Sequence, residues 1–487
     1  MSVSAVVPWF LCDWVSSFFY DPFRDFATIK GNFNSLRLAC ASARGATTLE
    51  WIRAFPGQPI IRWRELGLRN YLLVADEEMI RDVLVNKAID FEKPQMPRTI
   101  VGRLLGRGLA VSEGHEHRKQ RFAMGPSVAA KNIRSFYPVI IEKVDRFLGQ
   151  IEESMCRQQA GKEGKSAEGV VDMDGWIRYL MVEIIGVKVL GHDWGVEPGA
   201  QEKVAECFAR VLDPSVTNIF YFTIYNVWPR WIVSLVPWSH GSLTDSLKDR
   251  LRVWCLDSIK RSQDNKNEIE NENIDTSVIE SMDHRGDFTA SELSEQAMAL
   301  LAGFESPSLA LFWCCFELAR HHEFQEKLRT EVRSHLLAEG CSQKWETIEA
   351  LPLLNAFCRE VLRLHPPVSV TIRQSVRDTV IGDVDVPANT RLFISAYAMQ
   401  RRHDIWGPRG DEFWPERWLD LDENGNASLN QMGGATSMFA YMPFLHGRRA
   451  CVAKELAYAG MRCVVAGLIG RFAMELQDSA QEVKVGD

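Results

Sequence analysis

The segment PFLHGRRACVAKELAYAG, residues 443–460, places a cysteine just ahead of a predicted helix. A thiolate that binds a metal needs hydrogen-bond donors to temper its charge, and the backbone amides ahead of a helix supply them. Gly447 permits the tight turn that directs such amides at the sulfur of Cys451. Arg449 can pair with an anion, and Phe444 can pack beside the sulfur and exclude water. These residue types would suit a cysteine that ligates a metal; the alternative is a core cysteine in a turn.

The segment LAGFESPS, residues 301–308, lies inside the longest helical pattern of the chain and contains a proline. Pro307 has no amide hydrogen, so the carbonyl of Gly303 loses its helical partner and a kink or groove is expected there. Glu305 offers an acid and Ser306 a hydroxyl beside this groove, and both groups can hold or transfer protons. The segment therefore predicts a polar break in an otherwise apolar core helix.

A pair of opposite charges lies in CREVLRLHPP, residues 358–367. Glu360 and Arg363 are three residues apart, so they share one face of a helix and can pair. An exposed pair of this kind would contribute little to stability. Apolar residues surround the pair, which favours a buried ion pair whose arginine needs several acceptors.

These three segments resemble, in the same chain order, the signature segments of the cytochrome P450 family. The first is similar to the family's Phe-x-x-Gly-x-Arg-x-Cys ligand loop, the second to the oxygen-activating stretch of its central helix, and the third to its Glu-x-x-Arg helix. Ala453 stands where the family usually has glycine, and Ser306 stands where threonine is usual. The likeness covers roughly residues 45–480 and is strongest to fungal members that tailor secondary metabolites.

The resemblance implies a haem b (iron protoporphyrin IX) cofactor and assigns roles to particular residues. GHEHRKQRF, residues 114–122, resembles the helix that presents Trp-x-x-x-Arg to a haem propionate, with His117 in place of tryptophan. His115 and His117 are two residues apart and should point away from each other, so a metal pair is not expected. The implied cofactor-binding residues are Cys451 (also the metal ligand), Arg449, Phe444, Gly447, Arg121, His117 and Arg373. The implied catalytic residues are Glu305 and Ser306, and the implied structural residues are Glu360, Arg363 and Arg417.

The elements that must position these residues are mostly helices. A capping box from Thr289 to Glu292 predicts that the long central helix begins near Thr289. Residues 59–76 and 377–396 have the pattern of short strands joined by turns. The fold expected from the pattern and the resemblance is mainly α with small β-sheets (α+β). In this cytochrome P450 fold the haem lies between the long central helix and the helix that follows the cysteine ligand, within a single catalytic domain over residues 31–487.

Composition bounds the function further. The 487 residues carry a formal net charge of −8, which gives no reason to expect a nucleic-acid partner. The eleven cysteines contain no C-x-x-C pair, which favours a reducing compartment over a disulfide framework. Residues 1–30 begin with an apolar, aromatic stretch that fits a short membrane-interface anchor or, alternatively, a packed or disordered N-terminus.

The resemblance implies a haem-thiolate monooxygenase that inserts one oxygen atom from O2 into a lipophilic small molecule such as a terpenoid or polyketide. The aromatic residues 207–238 align with the roof of its substrate pocket. Its implied partners are NADPH–cytochrome P450 reductase and the cytosolic face of the endoplasmic reticulum membrane, with the chain as a monomer. The candidate reductase contacts, which can also be ordinary solvated charges, are Arg448, Lys454, Arg401 and Arg402.

Two other functions stay open from the sequence. A haem-thiolate isomerase or dehydratase that does not use O2 is suggested by the altered Ser306-Pro307 pair. A non-catalytic haem-binding remnant is suggested by the end of the chain at Asp487, where relatives of the family commonly continue.

Overall fold

The computed structural model describes residues 22–31, 34–39, 45–64, 70–159, 169–191, 193, 249, 252–261, 264, 277–337 and 344–478. The prediction made for residues 207–238 lies outside these residues, as do residues 1–21 of the predicted N-terminal anchor.

Several helices begin at polar caps that the sequence supplies. Asp172 accepts a hydrogen bond from the amide of Asp174, and Ser277 forms a capping box with Glu280. The α-helices are α1 (Asn34–Ala39), α2 (Ala46–Ala54), α3 (Glu77–Arg81), α4 (Gln95–Leu105), α5 (Gly114–Met124), α6 (Ala130–Arg134), α7 (Tyr137–Gln159), α8 (Met173–Leu190), α9 (Val278–Asp283), α10 (Ala290–Leu301), α11 (Glu305–Arg320), α12 (His322–Val332), α13 (Trp345–Ala350), α14 (Pro352–Leu364), α15 (Ala396–Met399), α16 (His403–Trp406) and α17 (Lys454–Arg471).

The strands form one larger sheet and two hairpins. The strands are β1 (Ala27–Ile29), β2 (Ile60–Arg64), β3 (Asn70–Val74), β4 (Phe91–Glu92), β5 (Val370–Ser375), β6 (Thr379–Ile381), β7 (Val384–Val386), β8 (Arg391–Ser395), β9 (Leu419–Leu421) and β10 (Ala427–Leu429). The larger sheet has the order β1-β2-β3-β8-β5-β4, with β3 parallel to β8 and β5 antiparallel to β8. The predicted strands within residues 59–76 and 377–396 are confirmed, whereas β1, β4, β5, β9 and β10 were not predicted.

The central helix is built as the capping box predicts. Thr289 and Glu292 each accept from the other's backbone amide, and α10 starts at Ala290. A 3₁₀ turn, Ala302–Phe304, separates α10 from α11, which is the predicted break ahead of Pro307. The continuous span Ala290–Arg320 is long and apolar enough to cross a membrane by length and composition. It packs instead against α8, α14 and α17, as the central helix of a folded core does.

The fold is thus mainly helical with small mixed sheets, as predicted. The largest apolar core lies between α7, α8, α10, α11, α14 and α17, and it includes Phe304, Leu311 and Val464. The seven cysteines among the described residues are all free.

Candidate active site

The turn that precedes Cys451 depends on a glycine. Gly447 begins a 3₁₀ turn, Gly447–Arg449, with φ at +74°. An added Cβ at this residue would lie 2.1 Å from the carbonyl oxygen of Leu84. The backbone therefore approaches the π-helical turn Asp82–Asn86 more closely than any residue with a side chain permits. The amide of Cys451 then donates to the carbonyl of Phe444 at 2.8 Å and closes the loop.

The sulfur of Cys451 faces donors at the start of α17. The backbone amide of Ala453 hydrogen-bonds to it, and the charges of Arg121 and Lys454 lie nearby. Burial nevertheless raises the pKa of the thiol above its ordinary value, and these neighbours only oppose that shift. The side chain is exposed by surface area although protein atoms surround it on most sides. Cys451 therefore lines an internal cleft, where a bound metal would convert the thiol to thiolate.

A cluster of cations lies beside the ligand turn. Arg449 donates from Nε and Nη2 to Glu113, at 2.8 and 2.5 Å, and from Nη1 to the carbonyl of Ala88 at 2.8 Å. Arg373 is 3% exposed and donates to Thr371 Oγ1 and to the carbonyl of Ile372. Burial, together with repulsion from Arg449, lowers the pKa of Arg373 to about 10.

Helix α5 brings two further predicted residues to the same place. Arg121 donates from Nη1 to the carbonyl of Ala450 at 2.7 Å, which ties α5 to the ligand loop. Burial, reinforced by the charge of Lys93, lowers the pKa of His117 to about 4, so its imidazole is neutral at pH 7. His117 is buried whereas His115 is exposed, which confirms that the two rings point apart.

The break in the central helix exposes a polar edge. Gly303 and Ser306 are exposed, while Phe304 and Pro307 beside them are buried. The hydroxyl of Ser306 donates to the carbonyl of Gly303 at 3.3 Å, which supplies the partner that the proline withholds. The predicted break next to Pro307 is therefore present, and the helix that carries it packs against α17.

Glu305 points in a different direction from Ser306. Its Oε2 forms a short ion pair with Arg178 on α8, and Arg178 also pairs with Asp174 at 2.9 Å. The second carboxylate oxygen of Glu305, Oε1, is buried without a hydrogen-bond partner. The acid is thus held by α8, with one oxygen left to meet a water or a donor.

The predicted ion pair on α14 is buried, and its carboxylate has more hydrogen-bond donors than the sequence indicated. Arg363 donates from Nε and Nη2 to Glu360, each at 2.8 Å, and both side chains are 0% exposed. Arg417 joins the same carboxylate at 3.2 Å, and Trp414 and Trp418 donate to it from an amide and an indole, each at 2.9 Å. The carboxylate therefore fixes the segment that leads toward the ligand loop to α14.

The sequence matches the family model described as Cytochrome P450 over residues 46–485. The chain belongs to the cytochrome P450 family. It is 30% identical to cytochrome P450 monooxygenase buaD of Petromyces alliaceus over 80% of this chain and 71% of that protein. It is 29% identical to cytochrome P450 monooxygenase sphH of Aspergillus fumigatus over 90% of this chain and 80% of that protein. It is 27% identical to cytochrome P450 monooxygenase ALT8 of Alternaria alternata over 96% of this chain and 87% of that protein.

The protein is therefore an oxygen-incorporating oxidoreductase, and the predicted likeness to fungal cytochromes P450 is confirmed. Cytochromes P450 are the standard example of haem ligated by a cysteine thiolate. The donor set of this chain fits that group, because an accessible sulfur with an amide donor lies near Arg121, and Arg449 of the same turn lies near Arg373. These buried and half-buried cations outnumber the carboxylate of Glu113 and so call for further anions, which haem propionates would supply.

Three structural features were missed or misjudged from the sequence. Glu113 was not predicted to hold Arg449, nor was Arg178 predicted to hold Glu305. Arg401 was proposed as a surface contact for a reductase, and this is wrong: the residue is 7% exposed, and its guanidinium lies 3.8 Å from the ring centroid of Tyr397. A polar side chain directly before a helix is first interpreted as a cap of that helix, and the local sequence around Glu113 does not indicate its distant partner Arg449.

Proposed function

We propose that this cytochrome P450 binds haem b and inserts one oxygen atom from O2 into a lipophilic small molecule. The substrate class that we favour is a terpenoid or polyketide intermediate of a fungal secondary-metabolite pathway. The observation that carries the proposal is the Cys451 sulfur, which accepts a hydrogen bond from the Ala453 amide in an internal cleft beside Arg121.

The protein residues divide the work of holding the haem. Cys451 would ligate the iron, and Gly447 and Phe444 would keep the sulfur in a tight, partly dry loop. Support for an ion pair with the propionates comes from the buried guanidinium of Arg373 and the donors of Arg449 that Glu113 leaves free. Neutral His117 and Arg121 on α5 would add further donors. When bound, the haem supplies oxygen activation at an iron whose thiolate ligand donates electron density.

The residues on the central helix would manage space and protons. Gly303 has no side chain, so the helix leaves room at the exposed edge of the break. The hydroxyl of Ser306 can hold a proton at Oγ and exchange its bond to Gly303 for one to a water. Glu305, held by Arg178 with Oε1 unpartnered, points away from Ser306 and is the acid that would recharge that hydroxyl through an intervening water.

One exposed apolar side chain supports an apolar substrate. Val368, which follows α14, is 51% exposed and leads into β5, the strand that carries Arg373. Pockets for lipophilic ligands are mostly apolar with a few polar groups, and Val368 would supply apolar surface on the segment that leads to Arg373.

Exposed cations and the N-terminal segment support the proposed reductase partner and membrane location. The exposed side chains of Arg448 and Lys454, on either side of Cys451, suit an acidic face of NADPH–cytochrome P450 reductase. Residues 1–30 would contact the cytosolic face of the endoplasmic reticulum membrane, and residues 31–487 would act as one monomeric catalytic domain.

Expression in a microsomal host with candidate terpenoid and polyketide intermediates tests the proposal. Under isotopically labelled O2 and NADPH, the product is expected to gain one labelled oxygen atom. A product that forms without O2, or that carries no label, would show an isomerase or dehydratase instead.

A further inference from the structure

Glu113 occupies the position directly before α5, where a short polar side chain often caps the helix. Its side chain makes no capping hydrogen bond to that helix. It reaches instead to the ligand turn, 336 positions further along the chain, where Oε2 accepts from Nε and Nη2 of Arg449. Its Oε1 accepts from the amide of Lys93 at 3.0 Å, with Lys93 Nζ at 3.7 Å. Both oxygens are thus used, and the side chain is 4% exposed.

The pairing leaves Arg449 with donors to spare. A guanidinium has five N–H groups in a fixed, planar arrangement. Two of those groups on Arg449 go to Glu113 and one goes to the carbonyl of Ala88. Two N–H groups remain, one on each terminal nitrogen, for a second anion. Because the guanidinium is rigid, Glu113 and Ala88 together determine where those two groups point.

Glu113 also offsets charge in a crowded cluster. Burial lowers the pKa of Lys93 to about 8, and Arg373 and Arg449 push it the same way while Glu113 opposes them. Burial alone would raise the pKa of Glu113, but the hydrogen bonds from Arg449 and Lys93 outweigh it and hold that pKa below its ordinary value. The carboxylate therefore stays ionised among these cations, and its loss would leave them repelling one another.

We propose that Glu113 is a positioning residue of the haem site: it orients Arg449 so that the two remaining N–H groups meet a haem propionate. It also keeps part of the cluster's positive charge neutralised beside the cofactor. This inference rests on the proposed haem-binding function and extends it to a residue that touches neither the iron nor the substrate.

The test compares Glu113→Gln with Glu183→Gln in the haem-loaded protein. Glu183 is a matched control, because Glu113 and Glu183 are each 9% exposed over the whole residue and Glu183 also pairs with an arginine, Arg146, but it lies on α8. Haem loss is measured by transfer to excess apomyoglobin, and the midpoint reduction potential is measured by spectroelectrochemical titration. Losing charge-assisted hydrogen bonds in a buried site should make haem loss about tenfold faster in Glu113→Gln. Removing a negative charge should also move the potential to a more positive value.

The outcomes separate the inference from the proposed function. The inference predicts both changes in Glu113→Gln and neither in Glu183→Gln. It is overturned if Glu113→Gln keeps the wild-type haem-loss rate and potential, or if Glu183→Gln changes them equally. If Glu113→Gln does not fold, Glu113→Asp is used, which keeps the charge but is too short to hold Arg449 fully. No increase in haem loss in that variant overturns the inference. A wild-type protein that binds no haem overturns the proposed function, and this inference with it.

Discussion

Replacing Gly447 by alanine should destabilise the ligand turn. The expected loss in the free energy of unfolding has two parts. The first part is backbone strain, since a residue with a side chain at a φ of +74° loses about 1–2 kcal/mol. The second part is a clash, because the new Cβ would lie 2.1 Å from the Leu84 carbonyl oxygen and 3.0 Å from its carbon. Forcing two backbone segments apart in a packed region adds about 1–3 kcal/mol. The expected loss in the free energy of unfolding is therefore about 2–5 kcal/mol.

Gly407 provides the control for this prediction. Its φ is +75°, and an added Cβ would have nothing within 4 Å. Gly407 has ψ at −176°, a region essentially restricted to glycine, so Gly407→Ala should lose only a backbone strain of about 1–3 kcal/mol. Both variants are compared by chemical denaturation followed by circular dichroism and by the spectrum of the reduced carbon monoxide complex. Gly447→Ala should also lose part of the thiolate-type Soret band, and Gly407→Ala should keep it. Equal losses of stability in the two variants, with both spectra intact, would refute the reasoning.

Three further perturbations test other parts of the account. Glu360→Gln removes the charge on which five N–H donors converge, so the free energy of unfolding should fall by about 3–5 kcal/mol. Glu416→Gln, at a more exposed carboxylate, should change that free energy by less than about 1 kcal/mol. Burial alone would raise the pKa of Glu317, but hydrogen bonds and charges from His321 and His365 hold that pKa at about 2. The stability that it contributes above its ordinary pKa of about 4.5 is lost as the pH falls toward 2, and Glu317→Gln should flatten acid unfolding over that range. Ser306→Ala should lower the product formed per NADPH consumed, whereas Ser308→Ala, whose buried hydroxyl bonds to a backbone carbonyl, should leave that ratio unchanged.

The features that local chemistry dictates were predictable from the sequence. The capping box at Thr289 places the start of α10, and the missing amide of Pro307 produces the 3₁₀ turn ahead of α11. Apolar neighbours around Glu360 and Arg363 indicated a buried pair, and Gly447 indicated a tight turn. Each of these rests on residues within one turn of each other, where spacing alone determines geometry.

The contacts that tertiary packing creates were not predictable in this way. Glu113 meets Arg449 across 336 positions of chain, and Arg178 meets Glu305 across 127. Arg401 reads as a surface cation in the sequence, but it follows α15 directly, and its side chain lies over the ring of Tyr397 on that helix. Short strands such as β4 were missed because two residues carry no period, and β4 exists only through its pairing with β5.

The central claim, that Cys451 ligates a haem iron, is tested most directly by the absorption spectrum of the reduced protein with carbon monoxide. Wild-type protein should show the red-shifted Soret band of thiolate ligation. Cys451→Ser should abolish that band, while Cys156→Ser, at another exposed free cysteine of the described residues, should retain it. Survival of the red-shifted band in Cys451→Ser would contradict the account.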